Sequence, residues 1–353
     1  MPKLLLIILF LGSYSLHAQV GGENVYRFVL LPNSARLSAL GGMNISAQDP
    51  TAAAAIYNPA LLDETSHQAL SFNHQFYFAG TQHGFFNYAH HLAKNQITLH
   101  TGFQYMRYGE FLLTDEFDQQ LGTFNAGEFA WTVGASKTIY DRLRAGINLK
   151  VINSTMETYN AFAIAGDIAL QYFVPEKQFS AALVINNIGG TLKQYREGNR
   201  ETMPYDVRIG ISKRLSKAPI QFSVTGHHLH RWNLLYDNPE SEEKNFLIND
   251  MPPEPNKITQ QVENFFRHLV FGAELFIGKK EQFRIRVGYN HFRRRELSVV
   301  NFRSLAGMSG GVGFKINRFR IDYGFGTYHL AGSAHHFSIS TNLQEFNRDI
   351  LLP

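Results

Sequence analysis

From Phe283 to Asn290 the chain alternates strictly, with Phe283, Ile285, Val287 and Tyr289 on one phase and Arg284, Arg286, Gly288 and Asn290 on the other. A period of two belongs to a β-strand with one apolar and one polar face. Residues 144–151, 206–212 and 319–325 repeat it. The pattern predicts fourteen strands, at 68–78, 82–92, 96–108, 127–139, 143–154, 159–172, 178–187, 203–214, 219–229, 265–277, 282–292, 307–315, 319–327 and 334–342. Most span about 9–13 residues, close to the roughly 9–11 that a tilted strand needs to cross a bilayer. Every second connection is tight, at 93–95, 140–142, 173–177, 215–218, 278–281 and 316–318, while the others include 109–126, 188–202, 230–264 and 293–306. An even strand count joined alternately by short turns and long loops predicts an all-β fold. It is a transmembrane, antiparallel, up-and-down barrel over residues 68–342, with the long loops facing the cell surface.

Composition agrees with this. The chain is 44% hydrophobic and 13% aromatic. After its first twenty residues, however, it holds no apolar run long enough for a membrane helix. Its apolar side chains must therefore be spread over strands. Aromatic residues near strand ends, among them Phe76, Tyr105, Tyr172 and Phe292, fit interfacial girdles, although ordinary β-core packing would use the same residues.

The remaining segments are read by contrast. Met1-Pro2-Lys3, the apolar run 4–11 and Ser15-Leu16-His17-Ala18 predict an export signal over 1–18. Residues 19–67, rich in Ala, Gly and Pro, break the strand pattern and predict a plug folded into the lumen, with a loose periplasmic segment as the alternative. Residues 343–353 are read as a periplasmic tail. The chain has no Cys, so it has no disulfide, thiolate or lipid-bearing cysteine chemistry. A net charge of +4 is too small to imply a polyanion partner, and no nucleic-acid binding is expected.

On the polar phase stand Lys150, Arg208, Glu274, Arg284, Arg286 and Arg320 with Asp167, Asp206 and Asp322. Both signs are present, so these groups are expected to pair with one another or with Arg36 and Asp49 of the plug. Simple exposure to lumenal water is the alternative. Partner contact is expected from the long loops, through Trp232, Leu234, Leu235 and Tyr236 in 230–264 and through Arg293, Arg294 and Arg295 in 293–306. Arginines of that kind suit phosphate or acidic protein surfaces.

Catalytic and metal motifs are weak. Gly307-Met308-Ser309-Gly310-Gly311 matches a nucleophile-elbow pattern but opens a strand instead of turning into a helix, so Ser309 is not read as catalytic. His227, His228 and His230, and the pair His335-His336, come with no specified carboxylate ligand, so no metal site and no cofactor are expected.

The run 26–42 (YRFVLLPNSARLSALGG), followed by Asp49 and by Asn58-Pro59-Ala60-Leu61-Leu62, resembles the N-terminal region of the PorQ-like components of the type IX secretion system. More broadly it is similar to the FadL-like fourteen-stranded outer-membrane proteins. The motifs cover residues 24–62, and beyond them the resemblance is architectural. It implies a non-enzymatic outer-membrane anchor in the attachment complex, holding a PorZ-like surface protein beside PorU- and PorV-type components that link cargo to lipopolysaccharide. Two other functions remain open: a FadL-like transporter of hydrophobic small molecules and, more remotely, a hydrolase using Ser309.

Overall fold

The computed structural model describes residues 24–49, 51–198, 201–235, 256–297, 305–329 and 332–347. The expected signal segment, Tyr236 and most of the remaining 230–264 loop, and the end of the C-terminal tail lie outside the described residues. Fourteen strands form one closed barrel in which each pairs with its neighbours in sequence and the first with the last. They are β1 (Ala69–Phe76), β2 (Gln82–Leu92), β3 (Ile97–Thr114), β4 (Gln120–Tyr140), β5 (Leu143–Met156), β6 (Tyr159–Val174) and β7 (Phe179–Lys193). The other half comprises β8 (Asp206–Arg214), β9 (Ile220–Gly226), β10 (Leu269–Ile277), β11 (Phe283–Asn290), β12 (Met308–Ile316), β13 (Phe319–His329) and β14 (Gly332–Asn342). All pairings are antiparallel, and β1 closes on β14 from Ala69↔Asn342 to Phe76↔His335. Closure leaves no unpaired sheet edge, as a wall in hydrocarbon requires.

The two faces divide as the alternation dictates. Phe72, Phe103, Trp131, Ile147, Ile209, Phe222, Val287 and Phe337 are large, apolar and exposed on the outside. Asn73, Gln104, Lys150, Asp167, Arg208, Glu274, Arg286 and Asp322 are buried inside. A continuous apolar exterior of this extent is a lipid-facing surface.

One expected loop is largely strand, and another is strand in part. β3 and β4 continue past 108 and 127 to a turn at 115–119, which Asp115 holds by accepting from the backbone N–H groups of Phe117 (2.9 Å) and Gln119 (2.8 Å). β7 likewise runs on to Lys193. In both places a β-bulge, between Arg107 and Gly109 in β3 and opposite Asp167 in β7, shifts the register. A bulge adds one residue and so resets the inside-outside phase, which makes a single strand read as two unrelated patterns. The wall is consequently uneven, with 14 to 21 residues per strand from β3 to β7 and 7 to 9 from β8 to β12.

Among the described residues, four short α-helices accompany the barrel: α1 (Ala35–Ala39), α2 (Lys257–Arg267), α3 (His291–Glu296) and α4 (Gln344–Asn347). Residues 24–49 and 51–67 run through the lumen with α1 and several 3-10 turns. Ser34 caps α1 by accepting from the Leu37 N–H (3.2 Å), and the Ala35 N–H donates to Ser338 on β14 (2.7 Å). Inward-facing glycines let this backbone lie directly on the wall. A Cβ at Gly288 would sit 2.1 Å from the Gly41 nitrogen, and one at Gly324 would sit 2.3 Å from the Ala35 oxygen.

This contact yields a stability prediction. Gly324→Ala is expected to destabilise the barrel by about 1–3 kcal/mol in denaturant unfolding from detergent micelles, as overpacking against backbone does. Gly190→Ala, where a Cβ meets nothing within 4 Å, should stay within about 0.5 kcal/mol of the parent. Equal effects at the two positions would mean that the plug does not rest on the wall.

Candidate functional site

The lumen is built around Glu274 of β10. Its carboxylate accepts from Arg36 of α1 (2.9 Å) and from Arg286 of β11 (2.7 Å), and Arg284 stands 3.7 Å away. Arg36 also reaches Asp49 (3.1 Å), and Arg286 reaches Asp322 of β13 (2.6 Å). Arg320 joins Arg36, Asp49 and Asp322 around a small cavity between the plug and β13. The chain of charges thus runs from plug to wall and across three strands. The Asp49 carboxyl is held below the usual carboxylate range: burial raises it, but the Arg36 guanidinium and hydrogen bonds from Thr51 outweigh burial.

A second cluster fastens the other end of the plug. Arg208 pairs with Asp206 (2.6 Å) and lies over the Tyr57 ring at 5.6 Å. Asn58 donates to the Ile45 carbonyl (2.6 Å) and to Gln171 (3.0 Å) and accepts from the Ala60 N–H (2.9 Å), with Pro59 opening the 3-10 turn. Lys150 is satisfied by Asp167 (2.9 Å) and by Asn187 (2.8 Å) at the β7 bulge.

The two ends of the lumen differ in character. Towards the short turns a polar vestibule of about 380 Å³ is lined by Asp63, Glu64, His91, Ser136, Arg142 and Arg144. Towards the long loops the inner wall becomes apolar, with Met106, Ala130, Ile152, Ala161, Ala163, Ala165 and Met203 forming one buried cluster. The chain itself fills that compartment with Tyr26, Phe28 and Val29. Tyr26 sits there in the left-handed region (φ 58°), a costly conformation for a bulky residue. Polar bonds that hold the segment include Val25 N–H to the Thr202 carbonyl (3.3 Å), Thr202 to Asn24 (2.7 Å), Gln104 to the Phe28 carbonyl (2.8 Å) and the Tyr57 hydroxyl to the Leu30 carbonyl (2.9 Å). Sequence reasoning missed the compartment, although its signal was legible in Ala161, Ala163 and Ala165, which keep the inward phase of β6 apolar for three positions before Asp167.

The expected loop contacts are placed differently. Leu234 is buried rather than presented, with its N–H donating to Asn264 of α2 (2.8 Å). Leu235 is half-buried, and Trp232 is exposed and stacked on His268 at 4.9 Å. Arg293, Arg294 and Arg295 lie in helix α3 instead of a loop. The Arg293 guanidinium turns inward over the Tyr328 ring at 4.0 Å, and Arg295 pairs with Glu263. Ser309 accepts from the Gly41 N–H (2.9 Å) and donates to the Ala39 carbonyl (3.1 Å), so its hydroxyl anchors the plug. His335 faces outward against Tyr323, and His336 faces inward near Tyr328. Among the described residues, no three ligand-type side chains converge as a metal site would need.

No protein-family model matches the chain, and no curated protein does. Among solved structures, the Pseudomonas putida toluene transporter TodX is similar with a TM-score of 0.50 and 12% identity, covering 92% of this chain and 98% of that one. A Pseudomonas aeruginosa FadL homologue aligns with a TM-score of 0.46 and 8% identity over 88% and 98%. At such identity the TodX likeness establishes a shared barrel fold.

Two outcomes follow from the charge network. Glu274→Gln removes the carboxylate shared by Arg36 and Arg286, leaving them only Asp49 and Asp322 in a desolvated lumen, and should cost about 3 kcal/mol in unfolding, whereas removing the exposed Arg142–Glu176 pair should cost at most about 1 kcal/mol. The Asp49 carboxyl titrates below its unfolded value, so its contribution is complete above about pH 4 and is lost as the pH falls through the folded value. Protease sensitivity of the plug should therefore rise only in acid, and a rise near neutrality would contradict the assignment.

Proposed function

We propose that this chain is an outer-membrane barrel that takes up small hydrophobic molecules, and that the compartment bounded by Met106, Ala130, Ile152 and Ala161 to Ala165 is their binding site. The observation that carries this reading is the apolar cluster on the long-loop side of the lumen, where wall residues of β3 to β6 pack against a segment of the chain itself that holds Tyr26 in a strained conformation. Tyr26 and Phe28 occupy the place a ligand would take. Aromatic side chains bury on the order of 150–250 Å² each, about the size of a small aromatic solute. The shared fold with a toluene transporter supports the reading. In it the residues do no covalent chemistry. The wall excludes water, the ion network keeps the plug seated, and exchange of Phe28 for ligand replaces one apolar contact by another.

A second reading, the surface anchor of a type IX attachment complex with PorZ-like, PorU-type and PorV-type partners, is favoured by a different feature. The β3–β4 hairpin stands beyond the rest of the rim with Phe111, Leu112, Phe117 and Leu121 exposed. An apolar projection of that kind suits a protein partner or lipopolysaccharide acyl chains.

Binding separates the two readings. In detergent, Phe28→Ala should bind an alkylbenzene or a fluorescent fatty acid about tenfold more tightly than the parent, because the pocket is already vacated. Ala163→Trp should abolish binding, and proteoliposomes carrying the parent should accumulate the probe. Absence of binding by both the parent and Phe28→Ala would remove the transport reading. Retention of a surface protein that depends on residues 111–121 would then support the anchor.

A further inference from the structure

Helix α2 is amphipathic in the reverse sense from a helix of a soluble domain. Ile258, Val262, Phe265 and Phe266 recur at i, i+4, i+7 and i+8 and so share one face, and they are 66%, 51%, 46% and 41% exposed. The opposite face does the packing. Asn264 is buried and bonds the Trp232 carbonyl (2.6 Å) and the Leu234 N–H (2.8 Å). Arg267 donates to the Leu234 carbonyl (2.9 Å), and Glu263 accepts from His291 (3.2 Å) and from Arg295. The polar face clamps the helix to the protein, and among the described residues the apolar face is left largely uncovered.

The position of the helix identifies what covers it. On β11 the outward column rises through Ile285 and Val287 to Tyr289, whose hydroxyl bonds His291 (2.8 Å). The Phe266 ring stands against His291 at 6.0 Å, so α2 sits at the top of the lipid-facing column rather than over the mouth of the lumen. The wall beneath is short, with 7 residues in β9 and 8 in β11 against the roughly 9–11 a spanning strand needs. Exposed Trp232 beside it is a residue type enriched where membrane meets water.

We propose that α2 is an interfacial helix that lays Ile258, Val262, Phe265 and Phe266 into the same membrane the barrel crosses, completing the apolar band where β9 to β11 fall short. The surface is continuous with the lipid-facing exterior, and its occupant is lipid. The inference is independent of what the lumen carries.

Because the chain has no cysteine, a single environment-sensitive fluorophore can be placed at Val262→Cys or, on the opposite face, at Gln260→Cys. Both sites are exposed, and retained heat-modifiable gel mobility checks that each variant is folded. In proteoliposomes containing lipids with a nitroxide near the headgroup, the probe at 262 should emit at shorter wavelength. It should also be quenched at least about threefold more than the probe at 260, in keeping with a burial depth of about 5–10 Å. Water-like emission with equal quenching at both sites would overturn the proposal. So would a blue shift at 262 that ignores the lipid quencher and grows with protein density, because a second copy of the chain would then be covering the helix.

Discussion

Backbone hydrogen bonding in hydrocarbon is the constraint from which the rest of this structure follows. A sheet with an apolar outer face has no water to satisfy an open edge, so β1 must pair with β14 and the wall must close. Closure creates an interior, and the alternation that turns Phe72, Ile209 and Val287 outward necessarily turns Asn73, Arg208 and Arg286 inward. Charges confined there have little solvent. Glu274, Asp206, Asp167 and Asp322 each hold a cation, and the plug supplies part of the partnership through Arg36 and Asp49. The wall, the network and the plug are therefore one cooperative object.

The fold was legible because a period of two survives tertiary context when one face meets lipid. The alternation in Phe283–Asn290 alone assigned every side chain of β11 to its face. It failed at Gly109 and Asn187, where bulges shift the phase and conceal that β3, β4 and β7 run on past the expected loops. For the lumen, the phase placed Glu274, Arg284 and Arg286 on one face, but which charge meets which depends on strand register and barrel curvature, and neither is written locally. The inward turn of Arg293 and the burial of Leu234 were invisible for a related reason. Both depend on helices α2 and α3, in a region where only a loop was expected.

The apolar compartment and the exposed face of α2 are two departures from the same rule. In one the inner wall turns apolar, at Ala161, Ala163 and Ala165, and the chain's own Phe28 covers it. In the other the protein turns an apolar helix face outward at the rim, where the strands below are shortest. Departures from an otherwise consistent pattern are where function is expected to lie. Here both concern contact with hydrophobic matter, one inside the wall and one outside it.

The most direct measurement scans nitroxide labels singly along β11, positions 283 to 290 with Gly288 left out because nothing larger fits against the plug there, in bilayers and records collision with oxygen and with a water-soluble nickel chelate. A closed wall with lipid outside predicts high oxygen access at 283, 285, 287 and 289. It predicts low access to both reagents at 284, 286 and 290, where neighbouring strands and the plug exclude them. A profile without this two-residue period, or lipid-level oxygen access at 284 and 286, would contradict it.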